Sequence, residues 1–478
     1  MYTWFSGRCL WLSLIFIYSS SNVIAYADFG NPFFFLQRQI IALSISLVAC
    51  SIFLFIPISF YRENGLILLV LSSILLGLVL IPGLGQEING ARRWLAIGPI
   101  NIQPSEIIKI FLPLYLCSYC LRRKDQLETS WRGFIKPIVV TTLIAVLLFL
   151  EPDYGNTAIL FSIAICILFI GGAKISQLAI LTIIFFIFLS IAIYFNPERL
   201  DRVLSFANPW DDMTGSDYQL INALIASVQG GISGLGIGES TQKYFFLPEA
   251  HTDFIFSIYL EETGAIGFLI LFSCYLVILW RLFKLAENAK NQNYFFNSLI
   301  ITSFALLFFI QTSLNIFVNL GVIPTKGLTL PFISYGRSSV IMNFIALAIT
   351  LRASWEFRNK IKSKLQFLQI ARRGGAWRAA TERARGRRRA RSPGGRAGLH
   401  IGRGRRGGAG RTGEGARGRA GGAAAGRGAA QRRARQGRCR RRGREGQPRA
   451  ALRGAAGRPA RGERTARGAR ARARAARR

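Results

Sequence analysis

The residues best suited to chemistry lie in a polar stretch that ends at an apolar run. The string QKYFFLPEAHTDF (242–254) holds two carboxylates, Glu249 and Asp253, with His251 between them. A carboxylate within hydrogen-bond reach of a hydroxyl group can act as a general base. An Asp directly before an apolar helical run is also typical of a helix N-cap. The residues alone leave both interpretations of Asp253 open.

Two further polar motifs stand where apolar runs begin or end. One opens an apolar run with a proline and an acid, as helix starts do, and consists of Gln103, Pro104, Ser105 and Glu106. Lys109 follows Glu106 on the same helical face, so we predict a buried ion pair between them. Glu151 and Asp153 flank a proline between two apolar runs. We interpret them as a helix-break motif that lines a cavity rather than as a catalytic pair.

The elements that position these residues are predicted to be membrane-spanning helices, each of which needs about 20 mostly apolar residues. Such runs lie near 10–27, 40–57, 65–82, 104–120, 136–151, 155–171, 176–194, 255–280, 297–319 and 338–352. The first run is longer than the apolar part of a signal peptide and lacks a clean cleavage site, so we expect it to be retained. The predicted fold class is all-α, a polytopic membrane protein with its helical domain in residues 1–370.

Loop charges predict the orientation of these helices. With the N-terminus inside, 16 basic residues before position 371 lie on the cytoplasmic side and 9 on the outer side. An even number of spans returns the chain to the cytoplasm, so both termini are expected there. The long loop from about 195 to 254 is then on the outer face, and its length suggests a function.

Five basic residues lie on the outer face, where the charge rule disfavours them: Arg92, Arg93, Lys243, Lys326 and Arg337. An anionic ligand is one explanation. Pairing with outer acids such as Glu87 or Glu249, or with phospholipid headgroups, is the other. Glu261 and Glu262 pose a similar choice: they mark a cavity at membrane depth, or they lie in water before a helix that begins near Ala265.

The net charge of the chain, +37, belongs to its C-terminal tail. Residues 371–478 hold 36 Arg, no Lys and 4 Glu, a net of +32, which leaves +5 for the rest. A segment of Arg, Gly, Ala and Pro cannot bury enough apolar surface to fold, so we predict disorder. The abrupt change in composition favours a frameshift or chimeric artefact. The alternative is a genuine basic arm that binds nucleic acid or anionic lipid.

Cysteine and histidine usage argues against disulfide and metal chemistry. The seven cysteines show no disulfide framework. Cys117 and Cys120 form a CxxC within an apolar run, where a packing role is expected. The two histidines, His251 and His400, cannot supply a His-rich metal site.

Several strings taken together resemble one family of membrane enzymes. They are NGARRWLAIGPINIQPSE (89–106), EPDYGNT (151–157), RLDRVLSFANPWDD (199–212), YQLINALIASVQGG (218–231), GLGIGES (234–240), QKYFFLPEAHTDF (242–254) and IPTKGLTLPFISYGRSS (323–339). With these strings in order and ten spans, the chain from about 31 to 369 is similar to the SEDS family, membrane glycosyltransferases that polymerise lipid II. The NPFFF and PTKGLTLPFISYG strings resemble the family's division members more than its elongation members.

The resemblance implies a reaction in which a lipid II 4-hydroxyl attacks the anomeric carbon of a glycan carried on undecaprenyl diphosphate. One carboxylate base, with cations for the leaving diphosphate, suffices for this step, unlike the carboxylate pair of a retaining glycosidase. Asp253 matches the family's catalytic aspartate. The residues implied in substrate binding are Arg92, Arg93, Trp94, Lys243, Glu249 and His251.

The Pro- and Gly-rich segment 323–339 is expected to have non-helical backbone at membrane depth, which is tolerated only where it is buried in protein or lines a cavity. Its candidate cavity or structural residues are Pro324, Lys326, Ser334, Tyr335 and Gly336. Arg337 stands where the family has a second glycine. It costs stability if that position needs a positive φ; otherwise it adds an outer cation.

The resemblance also implies partners and a location. We expect a class B penicillin-binding protein transpeptidase and other division proteins as partners, in a bacterial inner membrane at the division septum. Assistance by a divalent cation (Mg²⁺ or Mn²⁺) stays open, and a nucleic-acid partner is expected only if the tail is genuine. The alternatives are a lipid II transporter and a non-catalytic division scaffold. The polar motifs cluster on one membrane face instead of in two inverted halves, which favours the enzyme over the transporter.

Overall fold

The computed structural model describes residues 2–88, 91–97, 100–196, 200, 206 and 218–390. These residues belong to a compact unit bounded by Met1 and Ser392. A second unit, Pro393–Arg478, lies outside the described residues. So does the string at 199–212, except for two isolated positions.

Ten long apolar helices build the described part of the chain, as the sequence predicts for an all-α membrane protein. They are α1 (Tyr2–Phe29), α2 (Phe34–Phe55), α3 (Ile58–Val79), α4 (Pro104–Arg122), α6 (Trp131–Leu150), α7 (Tyr154–Ile170), α8 (Ile175–Tyr194), α10 (Ile255–Asn291), α11 (Phe295–Asn319) and α12 (Arg337–Ala390). Two short helices, α5 (Lys124–Thr129) and α9 (Tyr218–Gln229), lie in the connections. By length and composition, nine of the described helices suit a membrane span, and α7 is a shorter apolar helix. The protein is therefore a multi-pass membrane protein.

The helices are longer than the apolar runs that predict them. α2 and α3 begin several residues before positions 40 and 65, and α10 continues past position 280 to Asn291. The extra turns contain charged residues such as Arg62 and Lys284. Charged residues can continue a helix but are unfavourable in the hydrocarbon core. An apolar run therefore ends before the helix that contains it.

α4 and α11 form the centre of the bundle. Their apolar stretches are 83% and 67% buried within the protein, whereas that of α8 is 17% buried. α4 packs against α3, α7 and α11. Polar side chains on α4 and α11 therefore face other helices rather than lipid, where they need protein partners.

A three-stranded antiparallel sheet between α3 and α4 was not predicted from the sequence. It consists of β1 (Gly85–Ile88), β2 (Ala91–Ile97) and β3 (Ile100–Ile102). Trp94 pairs with Gln86 and Arg92 with Glu87, so the register shift leaves Arg93 without an opposite residue. Such a bulge changes the direction of a side chain, and it separates Arg93 from its neighbour Arg92.

α10 is interrupted at Gly264, whose φ of 63° and ψ of −164° are not helical. The loop 230–236 fills the interruption. Leu235 N donates to Glu261 O at 3.0 Å, and Ala265 N donates back to the loop at 3.0 Å. The backbone groups that the break frees are thus satisfied by protein, as non-helical backbone at membrane depth requires.

Glycines make this close approach possible. A Cβ on Gly230 would lie 2.0 Å from Leu260 O, and one on Gly234 would lie 2.2 Å from Glu262 O. Both distances are far shorter than a van der Waals contact. Gly230 and Gly234 therefore allow the loop to pack closely against α10.

Glu261 and Glu262 are buried, so the interpretation that places them in water before the helix is wrong. α10 begins at Ile255, and the two acids are 0% and 1% exposed. Glu261 accepts hydrogen bonds from Thr241 N at 2.8 Å and Thr241 Oγ1 at 2.7 Å. Glu262 accepts one from the Ser19 hydroxyl. The two carboxylates hold the outer loop and α1 against α10.

The helix α12 continues to Ala390, so its last turns extend into the segment 371–478 for which the composition predicts disorder. The first part of the tail is helical because Arg and Ala are among the best helix formers. The remainder of the predicted tail lies outside the described residues.

Cys117 and Cys120 are fully buried in the apolar core of the bundle. Both are free thiols. Their environment agrees with the packing role expected from the sequence.

Candidate active site

Asp253 directly precedes α10 but does not cap it. The N-cap residue is Phe254, and no side chain caps the helix there. The N-cap interpretation of Asp253 is therefore wrong. Asp253 is half-buried, and its carboxylate accepts no hydrogen bond from a residue that the structure describes. It remains available to a ligand.

The surroundings of Asp253 raise the pKa of its carboxyl group towards 7. Burial raises its pKa from 3.8 to about 7, the Glu249 carboxylate raises it as well, and the Arg93 guanidinium lowers it. A general base is most effective when its pKa lies near the working pH. A carboxylate with a pKa of about 7 accepts a proton from a sugar hydroxyl more readily than an ordinary Asp does.

Two asparagines of α11 fix the backbone at Asp253. Asn315 Nδ2 and Asn319 Nδ2 donate to Asp253 O at 3.0 and 3.1 Å. Asn319 Oδ1 also accepts from Ser257 in the first turn of α10. Neither asparagine was predicted from the sequence to be a site residue. The signal was present, because Gln311, Asn315 and Asn319 recur every four residues within an apolar helix.

The loop 320–336 packs against the carboxylate of Asp253. A Cβ on Gly327 would lie 3.0 Å from Asp253 Oδ2, so a side chain there would crowd the acid. Asn315 Nδ2 also donates to Leu328 O at 2.5 Å, which ties this loop to the same asparagine. Pro324 and Lys326 lie in the same loop and are partly exposed.

The last residues of this loop are held by short-range contacts. Ser334 Oγ accepts a hydrogen bond from Leu330 N at 2.8 Å. Gly336 lies against Thr329, whose Cγ2 would be 3.2 Å from a Cβ at that glycine. Arg337 begins α12 and is not among the residues with positive φ. Arg337 therefore adds a cation at the start of α12 without backbone strain.

His251 joins the loop that precedes α10 to α2. Its ring lies 4.3 Å from that of Phe35 and 5.6 Å from that of Tyr335, and Tyr335 N donates to His251 O at 3.0 Å. Burial lowers the pKa of His251 below its usual 6.5, so the imidazole is neutral at pH 7. The aromatic contacts fix the chain two residues before Asp253.

The predicted substrate-binding arginines occupy different environments. Arg93 donates from Nε to Glu151 O at 3.1 Å and from its terminal nitrogen to Pro152 O at 2.7 Å. Arg92 is exposed and pairs with Glu87 at 3.2 Å, which is the acid-pairing alternative considered above. Trp94 is half-buried in β2. Of the two arginines, Arg93 is the one whose charge acts on Asp253.

Glu151 and Asp153 lie at the junction of α6 and α7. Asp153 is the N-cap of α7 and accepts from Asn156 N at 3.3 Å. The Glu151 carboxyl is fully buried, and neither oxygen has a hydrogen-bond partner among the described residues. Burial raises its pKa to about 9, Asp153 raises it as well, and Arg93 lowers it. Glu151 is therefore a neutral acid at pH 7.

The motif that opens α4 lies beside this junction. Gln103 is the N-cap position and Pro104 the first residue of the helix. Ser105 Oγ accepts from Asn156 Nδ2 at 3.1 Å, which joins α4 to α7. Glu106 and Lys109 form a buried ion pair at 2.5 Å, which confirms that prediction.

Lys243 and Glu249 lie on the outer loop in opposite settings. Lys243 is buried; its ammonium donates to Gly238 O and lies 4.0 Å from Glu262 Oε1. Its charge is thus already compensated within the protein. Glu249 is exposed and accepts from Thr252 Oγ1 at 2.7 Å. Of these two, Glu249 is the one that a ligand in water can reach.

The described residues do not include a group of three or more Asp, Glu, His or Cys side chains arranged to hold a metal ion. Mg²⁺ is often bound by one or two carboxylates, with substrate phosphates and water as the other ligands. Glu249 is the carboxylate whose charge raises the pKa of Asp253. A divalent cation at Asp253 would therefore have these two carboxylates at most, and substrate phosphates and water would supply its other ligands.

Comparison with known proteins places this arrangement in a family. Residues 1–359 match the family of cell cycle proteins named for FtsW, RodA and SpoVE. A probable peptidoglycan glycosyltransferase FtsW of Pseudomonas fluorescens is 38% identical over 355 residues, which cover 74% of this chain and 87% of that protein. A protein of the same name from Buchnera aphidicola is 40% identical over 357 residues, which cover 75% and 89%.

Solved structures share the fold. A chain from a peptidoglycan synthase complex that coordinates polymerization and crosslinking aligns with a TM-score of 0.61 at 28% identity, covering 74% of this chain and 96% of that one. The rod shape determining protein RodA of Thermus thermophilus aligns with a TM-score of 0.55 at 25% identity, covering 74% and 95%. The helical bundle described above is thus matched over nearly the whole of both solved chains.

Proposed function

Since this chain belongs to the FtsW, RodA and SpoVE family, we propose that it is a peptidoglycan glycosyltransferase that polymerises lipid II during cell division. The acceptor is the 4-hydroxyl of one lipid II molecule. The donor is a glycan strand held on undecaprenyl diphosphate. The names of its relatives support the activity and the division role.

The observation that carries the proposal is the carboxylate of Asp253 directly before α10, whose backbone Asn315 and Asn319 hold and whose pKa burial raises to about 7. In its ionised form it accepts the proton of the attacking hydroxyl. The oxygen then forms a bond to the anomeric carbon, and the bond from that carbon to the diphosphate breaks. The diphosphate is a stable anion and leaves without a proton, so one carboxylate is sufficient.

The leaving diphosphate requires cationic stabilisation, for which guanidinium groups are well suited. Arg93 is the foremost candidate because its charge already acts on Asp253. Arg92 is exposed and reaches the same substrate only by exchanging its surface pair with Glu87, which is worth little in water. Trp94, half-buried on the same strand, packs against the sugar or lipid.

The working complex includes a crosslinking partner. One solved relative belongs to a peptidoglycan synthase complex that couples polymerization to crosslinking. By analogy, a class B penicillin-binding protein joins the strands that this protein makes. The protein works in the bacterial inner membrane at the septum, with both termini in the cytoplasm and Asp253 on the outer face.

The first prediction concerns Asp253→Asn, which keeps the shape of the side chain and removes its basicity. Polymerisation of labelled lipid II by the purified protein, with its transpeptidase partner, should fall about 100-fold or more. Asp253→Glu should retain part of the activity, because one methylene displaces the base by about an ångström. Thermal stability should change little.

The matched control is Asp28→Asn, which alters an exposed aspartate at the C-terminal end of α1. It should keep full activity. Turnover by Asp253→Asn within a few-fold of the parent would mean that Asp253 is not the base. It would leave the scaffold and transporter functions as the explanations of the fold.

A further inference from the structure

A cavity of about 250 Å³ lies near the far end of α10 from Asp253. It is lined by Trp280, Arg281, Lys284, Leu285, Asn288 and Arg358. α10 supplies five of these residues and α12 supplies Arg358. The cavity is roughly 40 Å from Asp253 along α10, at the usual helical rise, so it is separate from the candidate active site.

The cavity is cationic. Three of its six lining residues are basic, and like charges that converge from two helices repel each other. Lys284 and Arg358 form no ion pair with a carboxylate in the described parts of the chain. The nearby acid Glu356 is already bound by Arg352 at 2.8 Å. An anion in the cavity would relieve the repulsion.

The position of the cavity is that of lipid headgroups. Trp280 is 57% exposed, and Lys284 Nζ lies 4.9 Å from the centre of its ring. The predicted apolar run of α10 ends at Trp280, and exposed tryptophans at the ends of such runs mark the membrane interface. The charge rule assigns this end of α10 to the cytoplasm. The cavity therefore opens at the headgroup level of the inner leaflet.

We propose that this cavity binds the phosphodiester headgroup of an anionic phospholipid from the cytoplasmic leaflet. Lys284 and Arg358 hold the phosphate oxygens, and Asn288 adds a hydrogen-bond donor. Trp280 covers the glycerol and the start of an acyl chain. Basic pockets between transmembrane helices on this side are suited to anionic headgroups. A soluble phosphate ester can bind the same cations, but it has no acyl chain to pack against the exposed Trp280.

The test is native mass spectrometry of the full chain in neutral detergent, titrated with phosphatidylglycerol, phosphatidylcholine or glycerol 3-phosphate. We expect one phosphatidylglycerol to bind in preference to the other two. The double variant Lys284→Gln/Arg358→Gln should weaken this binding roughly 30-fold, at about fivefold per basic residue. Equal affinity for phosphatidylcholine, or tighter binding of glycerol 3-phosphate, would overturn the proposal.

The matched control is Arg132→Gln/Lys136→Gln in α6. It removes two exposed cations that the charge rule also assigns to the cytoplasmic side of the membrane but that lie outside the cavity. It should leave binding unchanged. An equal loss in both double variants would mean a general charge effect and would also overturn the proposal.

A second measurement covers the case in which the cavity variant fails to fold. Phosphatidylglycerol with brominated acyl chains should quench the tryptophan fluorescence of the parent more than that of Trp280→Phe. Equal quenching of the two proteins would show that the lipid does not bind beside Trp280.

Discussion

Asp253 lies between charges of opposite sign, and these charges predict how the activity depends on pH. Burial and Glu249 favour its protonated form, while Arg93 favours the carboxylate. The base works only when it is ionised. Polymerisation should therefore rise with pH through about 7, the pKa of this group.

The second prediction follows from this balance. Glu249→Gln removes the like charge, so the pKa of Asp253 should fall and the midpoint of the activity profile should move to lower pH. The measurement is lipid II polymerisation over a pH series. Glu239→Gln is the control, because Glu239 is an exposed acid of the same loop that does not act on Asp253. A midpoint that stays in place in Glu249→Gln would contradict the assignment of the titrating group.

The third prediction concerns Glu151, whose pKa burial raises to about 9. At a pH between about 4.5 and 9, Glu151 is protonated in the folded protein and ionised in the unfolded chain. The free energy of unfolding therefore decreases as the pH rises through this range. Glu151→Gln removes this loss. We expect the variant to be at least as heat-stable as the parent at pH 7 and less sensitive to pH. A lower unfolding temperature at pH 7 would show that the carboxylate is ionised and bound.

Two elements fix the candidate base from different sides. Asn315 and Asn319 of α11 bind the backbone carbonyl of Asp253. Gly327 of the loop 320–336 packs against the carboxylate of Asp253. These contacts pre-organise the acid, which is what electrostatic and acid–base catalysis requires. The interruption of α10 at Gly264 lets the loop 230–236 pack against the same helix further along.

The fourth prediction tests that interruption. Gly230→Ala places a Cβ 2.0 Å from Leu260 O, so the loop or α10 must move. Overpacking of this kind costs about 1–3 kcal/mol, and we expect a lower unfolding temperature together with reduced polymerisation. The control is Gly77→Ala in α3, where a Cβ meets nothing within 4 Å. There alanine should be neutral or stabilising by up to about 1 kcal/mol. Equal stability of the two variants would contradict the close approach.

The whole molecule has an uneven distribution of charge, with +32 of its net +37 after position 370. The fifth prediction is that deletion of residues 371–478 leaves membrane insertion and activity intact. The helical turns up to Ala390 extend α12 beyond Phe367, the end of its candidate span. Complementation of a strain that lacks the natural protein is the measurement. Failure of the truncated form, at normal membrane levels, would make the tail a functional part of the protein.

The sequence by itself determined the membrane architecture, because ten apolar runs have few solutions other than helices in a bilayer. It also identified the string that contains Asp253 and the pairing of Glu106 with Lys109, since both follow from local spacing. The ends of α2, α3 and α10 do not follow from the apolar runs, because a helix can continue through charged residues where the hydropathy falls.

Tertiary structure alone decided the environment of each acid. Asp253 and Glu151 are both carboxylates beside a helix end, yet the first is half-buried with a pKa of about 7 and the second is fully buried with a pKa of about 9. Only the packing of distant segments could assign Glu261 and Glu262 to the outer loop and to α1. A pKa depends on burial and on neighbouring charges in space, and neither quantity is encoded in local sequence spacing.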